Sequence, residues 1–263
     1  MSEELIMEVR EFVSNKIGSD DISNSMIYLC QAGSHISGTN DETSDLDFRA
    51  ISAPDISTVF GLDAFDHTKL IGGQGKINHK DDFDVEIYSP REFIKDAYYG
   101  EIIPFEMLHV GEEFQLDLAK PFKPLYDRRD MFLSKSVVRK YSKFIDGCFK
   151  KSAVPVKSLK REDKIQRATA YGYETKEAMN SIKCLRLMIE LLDTGEVNLY
   201  RKDREELLDI KRGKYTVEEY HKIYKELREE LESKLKENTA IPDRANYKQV
   251  NEFLISYMRF LYP

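Results

Sequence analysis

The stretch MIYLCQAGSHISGTNDETSDLDFRAI, residues 26–51, constrains this chain more than any other. A mostly apolar run at 26–32 stops at Gly33-Ser34, and an alternating segment starts at Leu46. A short run that is apolar on both faces reads as a strand buried inside a sheet. In the second segment Leu46, Phe48 and Ala50 point one way and Asp47, Arg49 and Ile51 the other, which is the period of a strand. Asp45 and Asp47 then share a face, about 7 Å apart along the chain. Two carboxylates this close repel each other unless something offsets their charge.

Around this stretch the pattern separates into two halves. Apolar positions Leu5, Ile6, Val9, Phe12, Val13 and Ile17 have helical spacing. Residues 61–80, with Gly61, Gly72, Gly73 and Gly75, read as a loop or loose hairpin. DFDVEIY, 82–88, alternates again, with Asp82, Asp84 and Glu86 on one face. Ser89-Pro90-Arg91-Glu92 opens a helix with a capping box, and Thr216-Val217-Glu218-Glu219 repeats the device. From about 134 onward the spacing predicts helices over 134–150, 158–194, 202–211, 216–237 and 246–261. The expected fold class is therefore α+β, with a small domain at 1–130 and a helical domain at 131–263.

Charge is unevenly spread. Between Lys135 and Arg167 eleven basic residues face three acidic ones, a net +8, which leaves −15 for the rest of a chain whose total is −7. Such a window suits a localised anionic partner such as RNA, and the alternative is a solvated helix face. Within it Lys157, Lys160, Lys164 and Arg167 would share one face of a helix beginning near 158. No run of 18 apolar residues occurs, so neither a transmembrane helix nor a membrane partner is expected, and the acidic, amphipathic N-terminus does not read as a signal peptide. Cys30, Cys148 and Cys184 lack metal-ligand spacing and read as reduced and buried, which points to the cytoplasm. His67, His79, His109 and His221 form no ligand set, and His35 lies inside the loop after Gly33-Ser34, where it could touch phosphate or hydrogen-bond locally. No Walker lysine follows a glycine-rich loop, which disfavours a P-loop NTPase.

A divalent cation would relieve the repulsion between Asp45 and Asp47, and hard oxygen ligands suit Mg²⁺. The strand at 82–88 supplies a third carboxylate, in the order Asp84, Glu86, Asp82. Three carboxylates around two ions about 3.5–4 Å apart form the two-metal arrangement of phosphoryl transfer. Gly33 permits close approach of a phosphate, and a helix start just after it favours anions.

In order, these pieces resemble the DNA polymerase β-type nucleotidyltransferase superfamily: an apolar strand, Gly-Ser, a spacer, then Asp-apolar-Asp-apolar. More narrowly, AGSHISGTNDETSDLDFRAI, DVEIYSPREF and the helical segments are similar to the bacterial and phage branch assigned to RNA repair. The resemblance implies a polymerase-β-like catalytic domain with a mixed sheet and flanking helices, followed by a helical domain. It makes Gly33 and Ser34 phosphate binders, Asp45, Asp47 and Asp84 the catalytic and metal-binding carboxylates, and Lys176 and Arg186 contacts to the triphosphate. The chain departs from the family at Glu177, where Lys-His is often found, and in YGEIIPFEML around Glu106. The implied cofactors are two Mg²⁺ ions, with Mn²⁺ able to replace them, and the substrate is an NTP such as ATP. The implied reaction transfers an NMP to an acceptor hydroxyl, an RNA 3′ end being one acceptor and a protein or small molecule another. A catalytically silent nucleotide- or RNA-binding protein is the reading from a different class.

Overall fold

A computed structural model describes residues 3–42, 44–62, 64–72 and 83–263, so that Gly73, Gly75, His79 and Asp82 lie outside the described residues. Helices α1 (Glu3–Ile17) and α2 (Asp20–Asn24) lead into β1 (Met26–Gln31), all six residues of which are buried, as the apolar run requires. There follow β2 (Leu46–Ser52), α3 (Ile56–Phe60), β3 (His67–Leu70), β4 (Phe83–Tyr88), α4 (Pro90–Tyr98), α5 (Ile102–His109), β5 (Gln115–Leu118) and α6 (Lys123–Tyr126). The five strands form one mixed sheet in the order β3-β4-β2-β1-β5. β2 and β4 run parallel, and the other three pairings are antiparallel. Six helices complete the chain: α7 (Lys135–Ser152), α8 (Glu162–Tyr171), α9 (Thr175–Thr194), α10 (Arg204–Lys211), α11 (Val217–Glu237) and α12 (Tyr247–Leu261). This is the α+β arrangement expected, a mixed sheet with flanking helices followed by a helical region.

The alternation of β2 and β4 sorts side chains onto two cores. Leu29, Phe48, Ala50, Val85 and Ile87 pack on Val9 and Val13 of α1. The opposite face offers Tyr28, Cys30, Ile51 and Tyr88 to one continuous cluster that includes α5, α7 and α9. Helix α9 is its centre, packed against α7, α10 and α11. Along β2 and β4 this second face changes character: Ile51 and Tyr88 are apolar, Arg49 and Glu86 lie beside each other, and Asp47 lies beside Asp84. At their N-terminal ends the two strands thus turn acidic on a face that is otherwise covered by helices.

Three local expectations change. The segment 158–194 is two helices, because α8 stops at Gly172 (φ +81°) and α9 restarts behind Glu174, whose side chain accepts the Glu177 N–H at 2.8 Å. Helix α8 also begins only at Glu162, so Lys157 sits in a single 3₁₀ turn and Lys160 in the link that follows. The four-residue basic helix face does not form. At Ser89 the side chain caps α4 by accepting the Glu92 N–H, but the reciprocal half of the box is absent: the Ser89 N–H goes to Asp66 O, and Glu92 pairs with Lys95. The Thr216–Glu219 box is complete. Among the described residues no helix is long and apolar enough to cross a membrane, and all three cysteines are free and buried.

Candidate active site

The turn after β1 is shaped around Asp47. Gly33 adopts φ +68°, and a Cβ built there would lie 2.2 Å from Asp47 Oδ2. Both the left-handed backbone and the missing side chain are therefore required at this position. Just before it, the Ala32 N–H donates to Asp47 O at 2.8 Å and fixes the strand ends side by side. After it comes a single 3₁₀ turn, His35–Ser37, closed by Gly38 at φ +68°. The helix start expected behind Gly33-Ser34 is thus one short turn. Ser34 O accepts from Ser37 Oγ (3.1 Å) and from the Thr39 N–H (3.0 Å), which ties the loop to itself.

The carboxylates meet through strand register. Asp47 and Asp84 are direct partners in the parallel pair β2–β4. Burial first, then the charges of Asp45 and Asp84, push the Asp47 carboxyl from 3.8 up to about 6, against the pull of Arg49 and Lys69. Asp84 Oδ1 accepts the Gly72 N–H at 3.3 Å, and Lys69 Nζ on the edge strand β3 lies 3.9 Å from Oδ2. Glu86, the second choice for third carboxylate, is engaged elsewhere: His67 Nε2 is 2.9 Å from its Oε1, and the Tyr88 hydroxyl donates to the same oxygen at 3.2 Å.

Behind Asp47 stands a buried support. Arg49 donates to Glu106 Oε2 at 2.5 Å, and Tyr141 of α7 donates to Glu106 Oε1 at 3.0 Å. Burial opposes the charge on Arg49, but the Glu106 carboxylate outweighs it and holds the guanidinium protonated. Among the described residues the buried His35 Nε2 has no hydrogen-bond partner, and burial lowers its pKa against the raising effect of Asp45. Asp45, Asp47 and Asp84 are hard oxygen donors with an excess of negative charge, a donor set that fits a divalent cation. Among the described residues, however, no three His, Cys, Asp or Glu side chains are gathered at ligating distances.

Cations approach from the helical half. Lys211, the last residue of α10, donates to Thr39 O at 3.1 Å and pairs with Asp41 at 2.7 Å, while its own carbonyl accepts from Thr175 Oγ1. Burial first, and then the nearby charges of Lys176 and Arg167, lower its pKa despite Asp41. Lys183 lies two turns beyond Lys176 on α9 and lines a crevice with Gly33, Ser37 and Glu106. Among the described residues Lys183 has no ion-pair partner. Arg186 does: it reaches Asp203 at 2.8 Å and Glu206 at 2.7 Å. The structure thus brings Gly33, Ser34, Asp45, Asp47 and Asp84 into one region, sets Lys176 near Lys211, and holds Arg186 against α10. Lys183, Lys211 and Lys69 were not singled out in the sequence. Lys183 had a signal, since a spacing of seven from Lys176 puts both on one helix face. Lys211 had none, because its place depends on a contact 172 residues away in sequence.

Much of the basic window is paired internally. Arg167 holds the buried Glu174 and also Asp163, Lys164 binds Glu177 at 2.6 Å, and Lys135 and Arg139 share Asp243.

Residues 1–256 match the RNA repair pathway DNA polymerase beta family (RlaP), and the chain belongs to that family. An uncharacterized 38.9 kDa protein from the nrdC-mobD intergenic region of Enterobacteria phage T4 is 34% identical over 103 residues, 38% of this chain and 31% of the phage protein. The chain therefore spans about a third of that relative's length. A nucleotidyltransferase-like protein from Exiguobacterium sibiricum 255-15 aligns over 96% of this chain and 80% of its own, at 10% identity and a TM-score of 0.31.

Proposed function

We propose that this polymerase-β-like family member is a Mg²⁺-dependent nucleotidyltransferase that moves an NMP from an NTP to an acceptor hydroxyl, an RNA 3′ end, and releases pyrophosphate. The observation that supports it most is the pairing of Asp47 with Asp84 across parallel strands, with Gly33 backed against the Asp47 carboxylate. Asp45, Asp47 and Asp84 would hold two Mg²⁺ ions, replaceable by Mn²⁺, which would supply Lewis-acid stabilisation of charge on the transferring phosphoryl group.

The chain's own residues do the rest. The Ser34 hydroxyl and the backbone N–H groups of the Gly33-Ser34 turn hold phosphate oxygens. Lys176, Lys183 and Lys211 balance the triphosphate charge, while Arg186 acts through its ion pairs with α10. Asp84 takes the proton of the acceptor hydroxyl as that oxygen bonds to the α-phosphorus. The bond from the α-phosphorus to the bridging oxygen breaks, and its electron pair leaves with pyrophosphate. Arg49 and Glu106 fix the wall behind Asp47, so little reorganisation accompanies the step.

The test is incubation with each α-labelled NTP, Mg²⁺ and a pool of RNAs. Label in the RNA supports the reading and reveals the base preference. Label in a protein or small molecule moves the acceptor to that class. Binding of every NTP without transfer of label would establish the silent binder.

A further inference from the structure

The outer face of α7 carries a feature the site does not use. Two adjoining recesses, of about 350 and 110 Å³, share the ring pair Tyr98 and Tyr99 at the end of α4. Among the described residues the larger is lined by Arg139, Lys140, Lys143 and Arg244 and by no carboxylate. Tyr98 meets Tyr99 edge-on at 5.0 Å and Tyr247 at 5.9 Å; Tyr98 and Tyr99 line both recesses, and Tyr247 lines the smaller. Tyr99 is 55% and Tyr247 66% exposed. Arg139 and Lys140 are paired with Asp243 and Glu101 at the rim. Lys143 and Arg244 have no ion-pair partner among the described residues. Aromatic rings left in water beside unpaired cations make an arrangement that a lone protein domain gains nothing from, because the rings lose burial and the cations repel.

We infer that this groove docks single-stranded RNA, with bases stacked on Tyr99 and Tyr247 and phosphates held by Lys143 and Arg244. Single strands fit because only unstacked bases offer their faces to aromatic side chains, while Lys and Arg track the backbone. An acidic protein partner would meet the cations but would leave the rings without planar partners. Lys140 lines the groove from the outer face of α7, the helix whose buried Tyr141 donates to the Glu106 that holds Arg49. The choice of RNA over DNA rests on the acceptor proposed above.

The test measures anisotropy of a labelled 12-nucleotide RNA on the full chain without NTP, so that strand binding and nucleotide transfer are read separately. Tyr99→Ala should weaken binding by about 5- to 160-fold, the range for losing one base stack, and Tyr99→Phe should retain it. Lys143→Ala with Arg244→Ala should flatten the log–log salt dependence by about 1.4. All three residues are exposed, so the variants should melt like the parent, and Asp47→Asn should bind RNA normally. Unchanged affinity and salt slope in both groove variants would overturn the inference. So would tighter binding of the DNA oligomer or of a duplex, or equal competition by polyglutamate.

Discussion

Asp47→Asn should stabilise the metal-free protein while it abolishes turnover. The folded state holds the Asp47 carboxyl at about 6 instead of 3.8, chiefly through burial and then through Asp45 and Asp84. A raised carboxyl pKa means that the folded chain binds the proton more tightly than the unfolded chain. The contribution of Asp47 to stability is therefore most favourable below pH 4, declines between about pH 4 and 6, and stays low above that. A shift of roughly two units corresponds to at most about 3 kcal/mol. Asparagine keeps the shape and never ionises, so it escapes that loss. The variant should exceed wild type by up to about 3 kcal/mol at pH 8 and by roughly half of that at pH 5. Denaturant unfolding in EDTA at the two pH values reads the gap. Mg²⁺ should then raise wild-type stability by binding only the folded state, and should leave the variant unmoved. Turnover should fall by orders of magnitude. A variant no more stable than wild type at pH 8, or a gap equal at both pH values, would refute the claim that the site holds an uncompensated buried charge.

Gly33→Ala should lose at least about 1 kcal/mol from the left-handed backbone alone, and it should lose turnover beyond that because the new Cβ displaces the Asp47 carboxylate; melting and initial rates together separate the two effects. Asp84→Asn should reduce turnover by more than a hundredfold, whereas Glu86→Gln, whose carboxylate already serves His67 and Tyr88, should cost under tenfold; the reverse order in steady-state assays would move the third carboxylate to Glu86. Lys183→Ala should weaken NTP binding about tenfold with an unchanged melt, whereas Arg186→Ala should cost about 1 kcal/mol of stability and spare NTP binding, as calorimetric titration and unfolding would show.

The strands of the site were legible because each carried a periodic signal that no tertiary contact had to supply. β1 is apolar on both faces and is buried between β2 and β5; β2 and β4 alternate and are half covered. β5, with only four residues, and the one-turn helices had no such signal. The split of 158–194 went unread for a physical reason. Glu174 caps α9 from a buried position, and its burial is supported by Arg167 seven residues earlier. No rule of local sequence expects a glutamate there, since cap preferences favour short side chains.

The basic side chains show where sequence runs out. Lysine and arginine are counted easily, but whether each is available depends on which carboxylate the fold sets beside it. Arg167 and Lys164 looked open to an anionic partner and are held by Glu174 and Glu177. Arg186 looked like a triphosphate contact and is held by Asp203 and Glu206. Lys183 drew no notice and lies beside Gly33 and Glu106 without a partner among the described residues. The acidic side of the site obeys the opposite logic. Asp45, Asp47 and Asp84 repel one another, so no folding advantage accounts for their adjacency, and a stability-driven sequence would separate them. Cations matched to carboxylates stabilise the fold; carboxylates set side by side against their mutual repulsion, as Asp47 and Asp84 are across β2 and β4, are suited to act on a charged substrate.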